Sequence, residues 1–232
     1  MTLSNSINTI ISNLRLKNYL EIGVSTGDTF ERIVAILKHA VDVDFKYDYL
    51  ARSSSICKYY QMTSDAYFLC PERLSDIDFA YIDGLHTFEQ TLKDLLHVIA
   101  FSNEKTVIMI DDTFPLDWFS SLPNQQETYK YRLKHLGSNF NWAWNGDVFK
   151  LVPFIHDFLP AFNYASFRDD SNMLKLVLWK SKNIKIRSPI FGNLEKISRL
   201  DYSSLEDLMP YYFETNFESV SSELMRSIND FC

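Results

Sequence analysis

Two groups of side chains in this 232-residue sequence have the types and spacing for chemistry. The first is Asp83-Gly84-Leu85-His86 together with Asp111-Asp112. Three carboxylates brought together repel one another unless a cation neutralises them. A hard divalent ion with oxygen ligands does this, and Mg²⁺ is the usual choice, so Asp83, Asp111 and Asp112 are candidate metal ligands. His86 lies three residues after Asp83. An imidazole titrates near neutrality and can take a proton from a hydroxyl, whose own pKa a nearby metal ion lowers. Asp83 and His86 are therefore the candidate catalytic residues.

The second group starts at Glu21-Ile22-Gly23-Val24-Ser25-Thr26-Gly27. Glycines let a backbone turn sharply and let a ligand approach closely, and a glycine turn that opens a helix receives nucleotide-like ligands. The acid at Glu21 suits a cationic ligand better than a pyrophosphate. Asp42 is the first candidate to accept from both hydroxyls of a ribose, and Asp44 the second. Ser64-Asp65 completes the group, with Asp65 placed to accept from an adenine amino group.

These residues need elements to hold them. Ile7, Ile10, Ile11 and Leu14 have the spacing of a short amphipathic helix. Residues 18–23 read as an apolar strand ending in glycine. The spacing of Phe30, Ile33, Val34 and Leu37 predicts a helix over 28–39. A second strand is expected at 40–44, a helix at 49–57, a third strand at 58–63 and a fourth at 78–83. Phe88, Leu92, Leu95, Leu96 and Ile99 form the stripe of a helix over 87–101. Thr87 would be its N-cap, with Gln90 reaching back in a capping box. Residues 106–111 form a near-continuous apolar run, as in a strand buried on both faces. Strand and helix thus alternate from 18 to 111, which argues for an α/β fold with a parallel sheet. Ligands bind at the carboxyl ends of such strands. Every strand here delivers polar or acidic residues to that edge.

Beyond the fifth strand the pattern loosens. Residues 112–145 read as irregular, and Trp118, Trp142 and Trp144 there form either a platform for a sugar or aromatic acceptor or ordinary core. Gly146-Asp147 precedes a helix running to Leu159, and either closes over the metal site or supplies that helix's N-cap. Residues 163–168 and 174–180 flank the turn formers Asp169-Asp170-Ser171-Asn172 and read as an antiparallel hairpin. His39 and His97 read as structural, while His135 and His156 are free to face an acceptor. The chain divides into a domain over 1–180 and a polar, helical extension over 181–232 that caps the site or builds an oligomer interface.

Composition bounds the partners. The net charge is −7 with no block of like charges, which disfavours nucleic acid and anionic membrane. Cys57, Cys70 and Cys232 are odd in number and lack a CxxC, so a disulfide framework or zinc site is not expected and a reducing cytoplasm is. No signal peptide or membrane span is legible. A homo-oligomer is the one assembly left open. Only 6 glycines occur, well below the usual share, and Gly23, Gly27, Gly84 and Gly146 fall in the segments above.

The segment ExGxxxG after the first strand, the acid after the second and the later IDG resemble a class I S-adenosylmethionine-dependent methyltransferase. More narrowly, FAYIDGLHTFEQTLKDL, VIMIDDTFP and NGDVFK resemble the methyltransferase-24-type family, which includes metal-dependent sugar O-methyltransferases. The likeness spans roughly residues 18–180. It implies a Rossmann-like fold: a seven-stranded, mostly parallel sheet with an antiparallel C-terminal hairpin and helices on both faces. It further implies S-adenosylmethionine bound by Glu21, Gly23, Gly27, Asp42 and Asp65, beside which Asp44, Ser64 and Asp83 are further candidates at the same strand ends. Mg²⁺ would sit on Asp83, Asp111 and Asp112, with His86 as general base toward a hydroxyl of a small molecule or sugar. Two other readings stand beside it. One is a nucleotide-sugar enzyme using Asp42-Val43-Asp44 as a DxD, or a nicotinamide-dependent oxidoreductase. The other is a non-catalytic binding module of the same fold.

Overall fold

The structure is a computed structural model that describes residues 1–138, 140–182 and 186–229. Cys232 lies outside the described residues; Cys57 and Cys70 are free thiols. Seven strands form one sheet: β1 Asn18–Ile22, β2 Leu37–Asp42, β3 Cys57–Gln61, β4 Ile77–Ile82, β5 Ser102–Ile110, β6 Phe162–Arg168 and β7 Leu174–Lys180. Their order is β3-β2-β1-β4-β5-β7-β6. The first five pair in parallel, and β7 runs antiparallel to both β5 and β6. Asn172 supplies the left-handed residue of the hairpin turn (φ 62°). The chain leaves β1 in one direction along the sheet and returns to its other side at β4. A crevice therefore opens at the carboxyl ends of β1 and β4.

Side chains alternate across each strand and build two cores. Leu20, Ile22, Ala80, Ile82, Ile108 and Ile110 face one layer. That layer includes α2 (Ser64–Leu69), α3 (Phe88–Ala100), α5 (Leu151–Phe158), α6 (Leu194–Ser198) and α7 (Leu205–Leu208). Tyr19, Phe79, Tyr81, Val107, Met109 and Trp179 face α1 (Leu3–Leu14) and α8 (Phe217–Asn229). The stripe Ile7, Ile10, Ile11 and Leu14 of α1 is buried as expected. The polar tail contributes its apolar stripe Val220, Leu224 and Ile228 to the same core. Among the described residues, no helix is long and apolar enough to cross a membrane.

Several expectations are corrected. The helix over 28–39 is only a 3-10 turn, Phe30–Arg32. Phe30 and Ile33 are buried as the pattern requires, but Val34 and Ile36 are exposed. Strand pairing wins here, because β2 starts at Leu37 to match Asn18 of β1 and leaves too few residues to repay helix nucleation. The helix over 49–57 likewise shrinks to Leu50–Arg52, with Leu50 and Ile56 exposed. The irregular stretch contains α4, Gln125–Leu136. It escaped detection because its inward residues are polar: Arg132 is buried and bonds Asp117 Oδ1 at 2.8 Å and the Asn141 carbonyl at 2.5 Å. In α3 the buried stripe is Phe88, Thr91, Asp94, Leu95 and Val98, so Leu96 points outward.

Candidate active site

The strand ends define the site. Gly23 follows β1 with φ +87°, and a Cβ there would lie 1.8 Å from the Asp83 carbonyl oxygen. The ends of β1 and β4 approach so closely that a side chain has no room. The ladder runs on one residue past each strand, since the Asp83 amide donates to Ile22 and the Asp111 amide to Ile82. Each of these acids is thereby aimed by the sheet itself.

Asp83, His86 and Asp112 converge. His86 Nε2 lies 3.2 Å from Asp83 Oδ1, and Nδ1 lies 2.9 Å from Asp112 Oδ2. Both His86 and Asp112 hold left-handed backbone (φ 55° and 57°), a conformation non-glycine residues adopt at a cost and that clusters at functional sites. The run Trp144–Asp147 fixes them. Trp144 stacks on the imidazole at 5.2 Å and accepts from Nδ1 at 2.9 Å through its carbonyl. Asn145 donates to Asp112 Oδ1 at 2.6 Å. Gly146, at φ +62°, lies where a Cβ would be 1.5 Å from the His86 carbonyl oxygen. Asp147 accepts from the Phe88 amide at 2.7 Å and so caps α3, a neighbouring helix rather than its own.

Electrostatics follow from this packing. Burial alone would depress His86, but its hydrogen bonds to Asp112 and Asp83 outweigh that and push it up to about 11. Burial and the neighbouring Asp111 carboxylate push Asp83 up to about 7. Burial also opposes charge on Asp111, but the Lys175 ammonium holds that carboxyl below its ordinary value.

Asp111 stands apart from the trio. Lys175, on β7 and buried, donates to its two oxygens at 2.6 and 2.5 Å, and the Tyr81 hydroxyl bonds it as well. Among the described residues, the group that could share one cation is Asp83, His86 and Asp112, each offering a donor atom within 4.8 Å of the others.

A cleft of about 540 Å³ lies along the sheet edge, with Asp83 and His86 of this trio in its lining. Of the residues expected to bind a cofactor, Gly23, Asp42, Ser64, Asp65 and Asp83 line it. Asp42 accepts from the Ser25 amide at 2.7 Å and the Asp44 amide at 2.8 Å, tying the glycine loop to the turn after β2. Glu21, Gly27 and Asp44 are not brought to the cleft. Glu21 shares the face of Tyr19, whose hydroxyl it accepts; burial pushes it up to about 8, against that hydrogen bond. Gly27 lies under the Tyr47 ring. Asp44 is exposed and pairs with Lys46, so Asp42 and Asp44 do not present a DxD pair to one ion. The glycine loop opens no α-helix, and the amides of Gly23, Ser25 and Gly27 are taken by Val41, Asp42 and Val24.

Other residues were not foreseen. Met62, Gln90 and Asp94 line the cleft, beside Trp144, which the sequence offered as platform or core. The amide of Gln90 is capped by Thr87 at 3.3 Å, but its side chain turns to Ser64, Asp65 and Asp94 instead of reaching back to complete a capping box. Trp118 and Trp142 are exposed against Tyr131 and Tyr129. His39 and His156 are buried on the hydroxyls of Tyr67 and Tyr164, and His97 packs on Phe68. His135 lies against Phe119. A second hollow of about 670 Å³, between β6 and α8, holds none of the converging acids or histidines.

Residues 20–113 match the Methyltransf_24 family, a methyltransferase domain. An O-methyltransferase from Bacillus cereus in complex with S-adenosylhomocysteine is similar in structure, with a TM-score of 0.51 at 13% identity, covering 78% of this chain and 82% of that one. A Klebsiella pneumoniae protein assigned as an O-methyltransferase has a TM-score of 0.50 at 12% identity, covering 78% and 81%. Comparison with curated proteins finds no match. By sheet order and by these likenesses, the chain has the class I methyltransferase fold. The matched segment runs from β1 through β5, and the ends of β1 to β4 within it line the cleft.

Proposed function

We propose that the chain transfers a methyl group from S-adenosylmethionine to a hydroxyl oxygen of a small molecule or sugar. One observation carries this reading: His86 and Asp83 line the same cleft as Gly23 and Asp42, and Asp112 contacts the other nitrogen of His86. The S-adenosylhomocysteine held by the Bacillus cereus enzyme of the same fold agrees with it. Asp42 keeps lone pairs for ribose hydroxyls after accepting its two amides.

The donor set fits a divalent cation. The two carboxylates suit an ion of the Mg²⁺ or Mn²⁺ kind, and Asp83 and Asp112 would hold it, leaving His86 Nε2 free. When bound, such an ion supplies Lewis acidity that lowers the pKa of an acceptor hydroxyl. Asp111, committed to Lys175, stands behind that group. His86 Nδ1 faces two oxygens, the Trp144 carbonyl and Asp112, which makes it a donor and fixes the tautomer. With Asp83 and Asp112 holding a cation, their hydrogen bonds would no longer keep the imidazole charged, and its Nε2 would be the nitrogen that takes the acceptor's proton. Stacked Trp144 shields one face of the ring from water.

A labelled methyl donor offered with a mixture of hydroxylated acceptors tests this. Label should reach oxygen, fall about 10²–10⁴-fold in His86→Ala, and depend on divalent ions in an EDTA titration. Transfer undiminished in His86→Ala would remove the histidine from the mechanism. Transfer indifferent to EDTA would remove the cation.

A further inference from the structure

The carboxylate of Asp111 is saturated with donors. Its Oδ1 accepts from the Asp112 amide at 2.8 Å and from Lys175 Nζ at 2.6 Å. Its Oδ2 accepts from Lys175 Nζ at 2.5 Å and from the Tyr81 hydroxyl. An ionised carboxylate offers about four lone-pair positions, so these donors leave none for a further partner. Asp83 differs. The Tyr81 hydroxyl stands 3.4 Å from its Oδ2 but gives its one proton to Asp111. Topology places the lysine. Ile110 pairs with Leu176 in the antiparallel ladder, so the next pair along is Asp111 with Lys175, directly across. Lys175 is 3% exposed, and its second carboxylate neighbour is Asp169 Oδ2 at 3.6 Å.

Resting on the divalent-cation reading above, we infer that Lys175 is a positioning residue that holds Asp111 out of the cation site. A divalent ion then meets two carboxylates, Asp83 and Asp112, instead of three. The affinity of an oxygen-ligand site follows its count of charged ligands, so Lys175 keeps the ion loosely held. An octahedral ion held by two carboxylates also keeps positions free for the oxygens of an acceptor. Loss of the lysine hands the ion a third carboxylate.

The probe is Mn²⁺, titrated into the full chain with the free ion read by its paramagnetic resonance signal. Lys175→Met should bind it at least about tenfold more tightly than the wild type. Added Mn²⁺ should also raise the urea midpoint of that variant more than it raises the wild type's. The double variant Lys175→Met with Asp111→Asn removes both charges together, and carries the test should the single variant fail to fold. It should bind Mn²⁺ within about threefold of the wild type. A loss of about tenfold or more in the double variant would show that Asp111 ligates the ion itself, and overturns the assignment. A purely structural lysine lowers stability without tightening the ion, and that result overturns it too. Binding by none of the three proteins at millimolar Mn²⁺ removes the cation reading together with this one. Wild-type binding that Lys175→Met leaves unchanged removes this one alone.

Discussion

A single methyl group at Gly23 would sit 1.8 Å from the Asp83 carbonyl oxygen, inside the peptide that aims the first acid of the cleft. Gly23→Ala must therefore push β1 and β4 apart and misplace Asp83. Gly192 also has positive φ, but a Cβ there meets only Pro189 at 3.7 Å. Gly192→Ala should cost only the left-handed penalty of about 1–2 kcal/mol, while Gly23→Ala costs more and empties the cleft of ligand. Equal denaturation midpoints and equal ligand affinity would contradict the close approach. Gly23, Asp83, His86 and Asp112 were legible because each type has a chemical reason to stand at a strand end. Glu21 was misplaced although the strand period was available: Tyr19 and Glu21 share one face, and Ile22 takes the other. Asp44 was misjudged because β2 ends at Asp42 and leaves it in the following turn.

At the scale of elements, helices and strands with apolar periodicity were readable and short crossovers were not. Phe30 and Ile33 have helical spacing, yet the length of β2 is set by pairing with β1, which no local pattern encodes. The buried residues of α4 are Thr128 and Arg132, so hydropathy gave no periodic signal. Lys175 is the clearest case of information carried by topology. In the sequence it is an odd lysine in an apolar strand, and only the adjacency of β7 and β5 shows that it meets Asp111. Cutting one partner of such a buried pair leaves an uncompensated charge. Lys175→Met should destabilise by about 3–5 kcal/mol, and adding Asp111→Asn should restore much of that. Urea unfolding of the two single variants and the double variant checks the coupling. Additive losses would show that the pair does not act as a unit.

Across the whole molecule, one sheet edge gathers the acids while α1 and α8 close the opposite face, standing where two crossovers are too short to cover it. That face buries Glu21, and global stability should register it. The folded chain holds this proton up to about pH 8, whereas the ordinary carboxyl releases it near 4.5. Below 4.5 both states are protonated. As pH rises through the window to about 8 the unfolded state loses its proton first, so stability falls. Glu21→Gln keeps an acceptor for the Tyr19 hydroxyl and should flatten that fall by about 3–5 kcal/mol between pH 5 and 9. Parallel stability curves for the two proteins would contradict the buried, protonated carboxyl. The central claim is that the cleft between β1 and β4 holds the methyl donor, and the most direct measurement is calorimetric titration of the full chain with S-adenosylhomocysteine. Saturable one-site binding, weakened at least about tenfold in Asp42→Ala, is the expected result. No heat of binding at about 1 mM ligand, the concentration at which even a weak site of about −4 kcal/mol half-fills, would contradict it.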